Sequence, residues 1–104
     1  MRFRNIPIRN IISEAMNTGG IIIDVRTKAE FDSGHIPLAL NVPLDTIKSK
    51  NYRLPKSKTL LVYCMHGGSS AVAAKRLFDD GYDVVNAVGG LKQYKGALSR
   101  RYSN

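Results

Sequence analysis

Several kinds of residue are scarce in this chain of 104 residues, and each scarcity excludes a class of structure. The single cysteine, Cys64, cannot form a disulfide within the chain. Only two histidines are present, and they do not combine with the cysteine into the spacing of zinc ligands. The sequence therefore predicts neither a disulfide framework nor a structural metal, and we expect no cofactor.

Long apolar segments are also missing. No run of about 18 apolar residues occurs, and Asn, Pro and Arg interrupt the first ten residues. These features predict a soluble cytoplasmic protein with no membrane span and no secretory leader. A hydrophobic content of 43% fits one globular domain over residues 1–104, and the chain is too short for two full cores.

Acidic residues are scarce as well, since the chain has eight Asp and Glu but 16 Lys and Arg, which gives a formal net charge of +8. Such a charge attracts anions over about 8 to 10 Å. The basic residues are scattered, however, and Tyr52 and Tyr102 are the only aromatic residues within the local basic clusters. The pattern does not favour a nucleic-acid partner.

Apolar, β-branched segments alternate with helical patterns along the chain. We predict buried strands over 21–25, 59–63 and 83–88 and a shorter strand over 40–42. We predict short helices over 13–16, where Ser13 is the cap, and over 28–33, 44–49 and 91–98, and a longer helix over 69–80. This alternation predicts an α/β fold around a sheet.

Cys64 lies between a predicted strand and the longest predicted helix. Ligands of parallel α/β sheets bind beyond the carboxyl ends of the strands. Glycines after the cysteine let the backbone approach a ligand, and the helix N-terminus adds positive partial charge. Such surroundings favour a nucleophilic thiolate. We therefore predict Cys64 as the catalytic residue and the following loop as the substrate site: Met65, His66, Gly67, Gly68, Ser69 and Ser70.

Other interpretations of these residues stay open at this point. Cys64 can be an inert buried thiol, and Ser69 and Ser70 are predicted as helix caps rather than catalysts. A cysteine phosphatase or arsenate reductase would place an arginine where this chain has Ser70, to hold the phosphate oxygens. Sulfur transfer through a persulfide needs less positive charge, because a persulfide carries at most one negative charge.

Three segments together resemble the rhodanese family of sulfurtransferases, specifically its single-domain members. They are IIIDVRTKAEFDSGHIPLALNVP (21–43), LLVYC (60–64) with the loop after it, and DGYDVVNAVGGLKQY (80–94). The resemblance implies a rhodanese-like α/β fold, with a mostly parallel sheet of about five strands flanked by helices on both faces. It further implies that Asp24 and Arg26 form a charge pair that builds the fold, that His35 is structural, and that Gly89 and Gly90 form a turn beside the site.

The resemblance also implies a reaction. Cys64 would take sulfur from thiosulfate or a protein persulfide and pass it to cyanide or a thiol acceptor, such as a thioredoxin-like protein. Many members of the family carry arginine where Ser69 stands and a basic residue where Met65 stands, so affinity for thiosulfate is expected to be modest. The alternative is a non-catalytic rhodanese module whose loop binds a partner protein.

Overall fold

The computed structural model describes residues 3–100, which form an α/β fold around one five-stranded sheet. The strands are β1 Arg4–Pro7, β2 Ile21–Asp24, β3 Leu40–Asn41, β4 Leu60–Tyr63 and β5 Val84–Val88. Their spatial order is β1-β5-β4-β2-β3, and every strand pairing is parallel. The predicted sheet of about five mostly parallel strands is thereby confirmed.

Helices cover both faces of the sheet. They are α1 Ile11–Thr18, α2 Lys28–Ser33, α3 Leu44–Lys48 and α4 Gly68–Asp79. Alternate residues of β4 point to opposite faces, so Leu60 and Val62 join a core cluster with α3 and α4. Leu61 and Tyr63 join a second cluster with α1. Burial on both faces explains why the central strands are continuously apolar.

Two predicted helices differ from the structure, and one strand was missed. The helix predicted over 91–98 is only a single 3-10 turn, Leu91–Gln93, after which the chain is extended at Tyr94. Gly96, a poor helix former, lies inside the predicted span, and the backbone of Ser99 just beyond it pairs with His35. Helix α1 begins at Ile11, upstream of the predicted Ser13 cap. The edge strand β1 was not predicted, because Arg4 is exposed and Pro7 lowers strand propensity.

Within residues 3–100, none of the helices combines the length and the apolar character needed to cross a bilayer. The assignment of residues 1–104 to one domain stays a prediction.

Candidate active site

Cys64 follows β4 directly, and three residues separate it from Gly68, the first residue of α4. Its side chain is buried, with 4% of the residue exposed. The sulfur accepts two backbone hydrogen bonds, from the N–H of Gly67 at 3.0 Å and from the N–H of Ser70 at 3.2 Å. Amide hydrogens aimed at one atom, together with the positive end of a helix, stabilise negative charge on that atom. The local geometry therefore favours an anionic sulfur.

The loop reaches this conformation through Gly67, whose φ of 111° lies in the region that favours glycine. Gly67 is the residue that precedes α4, and no side chain caps the helix. The prediction that Ser69 and Ser70 cap the helix is therefore wrong. Ser70 instead lies in the first turn, where its hydroxyl donates to the carbonyl of Gly67 at 3.2 Å. Ser70 stands at the sequence position where a cysteine phosphatase would carry arginine, and it offers the sulfur a backbone N–H rather than a guanidinium.

A second segment, residues 90–92, contacts the backbone of the cysteine loop. The N–H of Leu91 donates to the carbonyl of Cys64 at 2.8 Å, and the N–H of Lys92 donates to the carbonyl of Met65 at 3.0 Å. Gly90 lies so close that an added Cβ would be 2.6 Å from the carbonyl oxygen of Cys64. The predicted glycine turn beside the site is thus confirmed, and its close approach explains why a side chain is absent there.

A pocket of about 360 Å³ opens over the cysteine. Three parts of the chain line it: the end of β2 with α2, the start of α3, and the cysteine loop itself. Its lining residues are Val25, Arg26, Thr27, Glu30, Pro43, Leu44, Asp45, Cys64, Met65, His66, Gly68 and Ser69. The structure therefore brings five of the seven predicted site residues to the pocket wall.

The two remaining predicted residues, Gly67 and Ser70, do not line the pocket and contact the sulfur through their N–H groups. The sequence analysis did not include Thr27, Glu30 and Asp45 in the site. Their positions in the sequence could have indicated that they belong to the site, because they follow β2 and β3. The carboxyl ends of neighbouring parallel strands meet at one edge of the sheet.

Among residues 3–100, Arg26 is the only Lys or Arg that lines the pocket, and it is held by Asp24. Its Nε lies 3.1 Å from Oδ1 of Asp24 and its Nη2 lies 2.8 Å from Oδ2. Nη2 also donates to the carbonyl of Gly34 at 2.7 Å. Burial disfavours the charged guanidinium, but the hydrogen bonds and charge of Asp24 outweigh it, so the pKa of Arg26 is raised. The predicted charge pair is confirmed.

Tyr63 completes this buried network next to the cysteine. Its hydroxyl donates to Oδ2 of Asp24 at 2.6 Å and accepts from the N–H of Ile36 at 3.1 Å. Burial and the hydrogen bond to Asp24 raise the pKa of Tyr63 above its ordinary value, so the hydroxyl stays neutral and serves as a donor. The residue immediately before Cys64 is therefore anchored to the charge pair.

His35 lies outside the pocket. Its Nδ1 lies 2.7 Å from the carbonyl oxygen of Phe31, and its ring stacks on the ring of Phe31 with centroids 3.7 Å apart. Its backbone exchanges two hydrogen bonds with Ser99. These contacts confirm the prediction that His35 is a hydrogen-bonded structural histidine.

Comparison with known protein families agrees with the observed fold. The profile of the rhodanese-like domain matches residues 9–97. The chain belongs to the rhodanese-like family. Its fold is similar to the rhodanese-like domain protein of Staphylococcus aureus, with a TM-score of 0.79 at 27% identity over 98% of this chain and 100% of that one. A rhodanese homologue of Thermus thermophilus is 31% identical, with a TM-score of 0.69, over 88% of this chain and 99% of that one.

Curated relatives of this rhodanese-like chain include both short and long proteins. A sulfurtransferase of Allochromatium vinosum is 36% identical, covering 68% of this chain and 67% of that protein. The thiosulfate sulfurtransferase GlpE of Coxiella burnetii is 33% identical, covering 72% of this chain and 71% of that protein. The adenylyltransferase and sulfurtransferase UBA4 of Meyerozyma guilliermondii is 34% identical over 84% of this chain, which spans only 21% of UBA4.

Proposed function

We propose that this rhodanese-like protein is a sulfurtransferase in which Cys64 carries the transferred sulfur as a persulfide. The observation that carries the proposal is the pair of N–H groups, from Gly67 and Ser70, aimed at the sulfur at the base of a pocket. An anionic sulfur is a nucleophile, and an open pocket gives a donor access to it. An inert structural cysteine would need neither feature.

In the first half of the proposed reaction, the Cys64 thiolate attacks the outer sulfur of thiosulfate or of a protein persulfide. The S–S bond of the donor breaks, and the bond pair leaves with sulfite or with the donor thiolate. Cys64 then holds the persulfide, whose outer sulfur extends into the pocket. Thiosulfate is a reasonable donor because the relative from Coxiella burnetii is named for it.

In the second half, cyanide or a thiolate attacks the outer sulfur of the persulfide. The S–S bond at Cys64 breaks, the bond pair returns to Sγ, and thiocyanate or a new persulfide leaves. The Gly67 and Ser70 N–H groups stabilise the anionic sulfur at the start and end of the cycle. Met65, His66, Gly68 and Ser69 line the pocket and are proposed to contact the substrate. A thioredoxin-like protein is a suitable thiol acceptor.

The proposal is tested with the wild-type chain and Cys64→Ser, a nearly isosteric change. After incubation with thiosulfate, intact-protein mass spectrometry should show a gain of one sulfur, about 32 Da, which a dithiol then removes. The wild type should also form thiocyanate from thiosulfate and cyanide, and the variant should do neither. Thermal melting of both proteins checks that the substitution leaves the fold intact.

Two results would contradict the proposal. One is thiocyanate formation that persists in Cys64→Ser. The other is a wild-type chain that gains no sulfur from either thiosulfate or a small-molecule persulfide. That second result would favour the alternative function, a rhodanese module that binds a partner protein without catalysis.

A further inference from the structure

The pocket over Cys64 has a charge balance opposite to that of the whole chain. The chain carries a formal net charge of +8, but the pocket lining contains two carboxylates, Glu30 and Asp45, and a single guanidinium, Arg26. That guanidinium is already compensated by buried Asp24 at 2.8 Å. Within the part of the chain that the structure describes, the two carboxylates therefore dominate the side-chain charge of the pocket lining.

Hydrogen bonds at the N-terminus of α2 stabilise the charged form of Glu30. Glu30 accepts hydrogen bonds from the N–H of Thr27 at 3.1 Å and from the hydroxyl of Thr27 at 2.9 Å. These hydrogen bonds, chiefly the one from the backbone, lower the pKa of Glu30 and keep it ionised. Asp45 lies in the first turn of α3, is exposed, and takes no part in capping that helix.

The loop on the opposite wall offers no compensating cation. Its lining residues are Met65, His66, Gly68 and Ser69, so Lys and Arg are absent from that part of the lining. A small dianion in this pocket is repelled by two negative side chains of the lining. A thiolate that carries a positive charge elsewhere in the molecule is repelled less than one that carries a second negative charge.

We propose that Glu30 and Asp45 select the sulfur acceptor by charge, so that this pocket favours thiols adjacent to a positive charge over anionic thiols. The inference rests on the proposed persulfide reaction. In the step concerned, the acceptor thiolate attacks the outer sulfur of Cys64–S–SH, the S–S bond breaks, and its electron pair returns to Sγ. The acceptor leaves as R–S–SH, so atoms and charge balance.

The test uses three small thiols of similar size: cysteamine, which is cationic, 2-mercaptoethanol, which is neutral, and mercaptoacetate, which is anionic. The persulfide is first loaded on the full chain, verified by mass, and then mixed with each thiol in a single turnover. Rates of Asp45→Asn and Glu30→Gln are divided by the wild-type rate for the same thiol, which cancels the intrinsic reactivity of the thiols. Glutamine can keep the capping geometry of α2.

Because each thiol attacks as its thiolate, 2-mercaptoethanol, with one negative charge, is the reference. Measured against its rate ratio, the ratio for cysteamine should fall and the ratio for mercaptoacetate should rise by about threefold to tenfold at low salt in each variant with a neutralised carboxylate. The same variants should raise kcat/KM for thiosulfate, a dianion. High salt should reduce every one of these differences. Asp45→Asn keeps the test decisive if Glu30→Gln unfolds.

Asp79→Asn is the matched control, because it removes the same charge about 15 Å farther along α4 from Ser69. Asp79 pairs with Lys75 at 2.6 Å and does not line the pocket. Its three rate ratios should stay near one. A peptide pair, with cysteine flanked by lysines or by glutamates, then separates a peptide thiol from a small aminothiol as the acceptor.

The outcomes separate the two proposals. If no persulfide loads on the wild type from either donor, the proposed function fails. If the persulfide loads but the rate ratios of Asp45→Asn and Glu30→Gln are the same for all three thiols, the charge selection is wrong and sulfur transfer stands. Equal effects in Asp79→Asn would also overturn the inference, because they would show a general response to net charge.

Discussion

Replacing Gly90 with alanine should disturb the cysteine loop, although Gly90 itself does not line the pocket. Gly90 has φ 64° and ψ −174°, a combination that is essentially restricted to glycine. A Cβ at this position would meet the backbone of Met65 and would lie 2.6 Å from the carbonyl oxygen of Cys64. Backbone atoms cannot rotate away as the end of a side chain can, so one of the two segments must move.

The size of the effect follows from two separate costs. The unfavourable backbone conformation costs about 1 to 3 kcal/mol for a residue other than glycine. The steric overlap resembles the insertion of an extra methyl group into a packed core, which costs about 1 to 3 kcal/mol. We therefore expect Gly90→Ala to lower the free energy of unfolding by about 2 to 6 kcal/mol.

Gly19→Ala provides the matched control. Gly19 also has a positive φ, 67°, with ψ 23°, and it ends α1 far along the chain from the cysteine. An added Cβ there would have no atom within 4 Å, so only the left-handed backbone is penalised, by about 1 to 2 kcal/mol. Urea unfolding of both variants isolates the part of the loss in Gly90→Ala that comes from contact with the cysteine loop.

Activity distinguishes the two glycines further. Displacing the 89–92 segment weakens the hydrogen bonds from Leu91 to Cys64 and from Lys92 to Met65, so Gly90→Ala should slow thiocyanate formation at temperatures where it is still folded. Gly19→Ala should keep wild-type activity. If the two variants lose equal stability and both retain full activity, the argument that Gly90 supports the loop is refuted.

Two further predictions concern the residues around Arg26. Asp24→Asn should lower the free energy of unfolding in urea by about 3 to 5 kcal/mol, because it leaves a buried guanidinium without its counter-charge. Asp79→Asn, in an exposed ion pair, is the control and should change the free energy of unfolding by no more than about 1 kcal/mol. Similar losses in both variants would contradict the prediction. Thr27→Ala should cost about 1 kcal/mol through loss of the capping box of α2. Alanine keeps the backbone N–H that chiefly lowers the folded-state pKa of Glu30, so Thr27→Ala removes only the smaller contribution of the hydroxyl. The stability that comes from the hydroxyl is present above the unfolded pKa and is lost as pH falls through the folded pKa; the melting-temperature profile of Thr27→Ala should therefore be slightly flatter than that of the wild type on the acid side, and a steeper profile would contradict the assignment.

The central part of the fold could be predicted because its signals are local. Strands β2, β4 and β5 are apolar on both faces, and this pattern depends only on their own residues. The helix predicted over 91–98 failed because the chain leaves helical structure at Tyr94 and the backbone of Ser99, just beyond the predicted span, pairs with His35, a contact between distant segments. Local propensity carries no information about such a competitor.

The candidate site, like the fold, was predicted only in part. Cys64 and its loop were predicted because a strand, two glycines and a helix follow one another in the sequence. Glu30 and Asp45 were not, because each resembles an ordinary acidic residue in the first turn of a short helix. Only the parallel order of β3, β2 and β4 brings those two helices to the same edge of the sheet as the cysteine.

The register of β2 and β4 links the stability of the fold to the position of the sulfur. Asp24, the last residue of β2, is paired with Tyr63, the last residue of β4, and accepts a hydrogen bond from its hydroxyl. The N–H of Val25 donates to the carbonyl of Tyr63 at 3.1 Å, so both the side chain and the backbone of Tyr63 are fixed. Cys64 is the next residue, and its direction out of the sheet depends on that anchor. We therefore propose that the buried Asp24–Arg26 pair helps to position Cys64, although the hydrogen bonds to the sulfur come from Gly67 and Ser70.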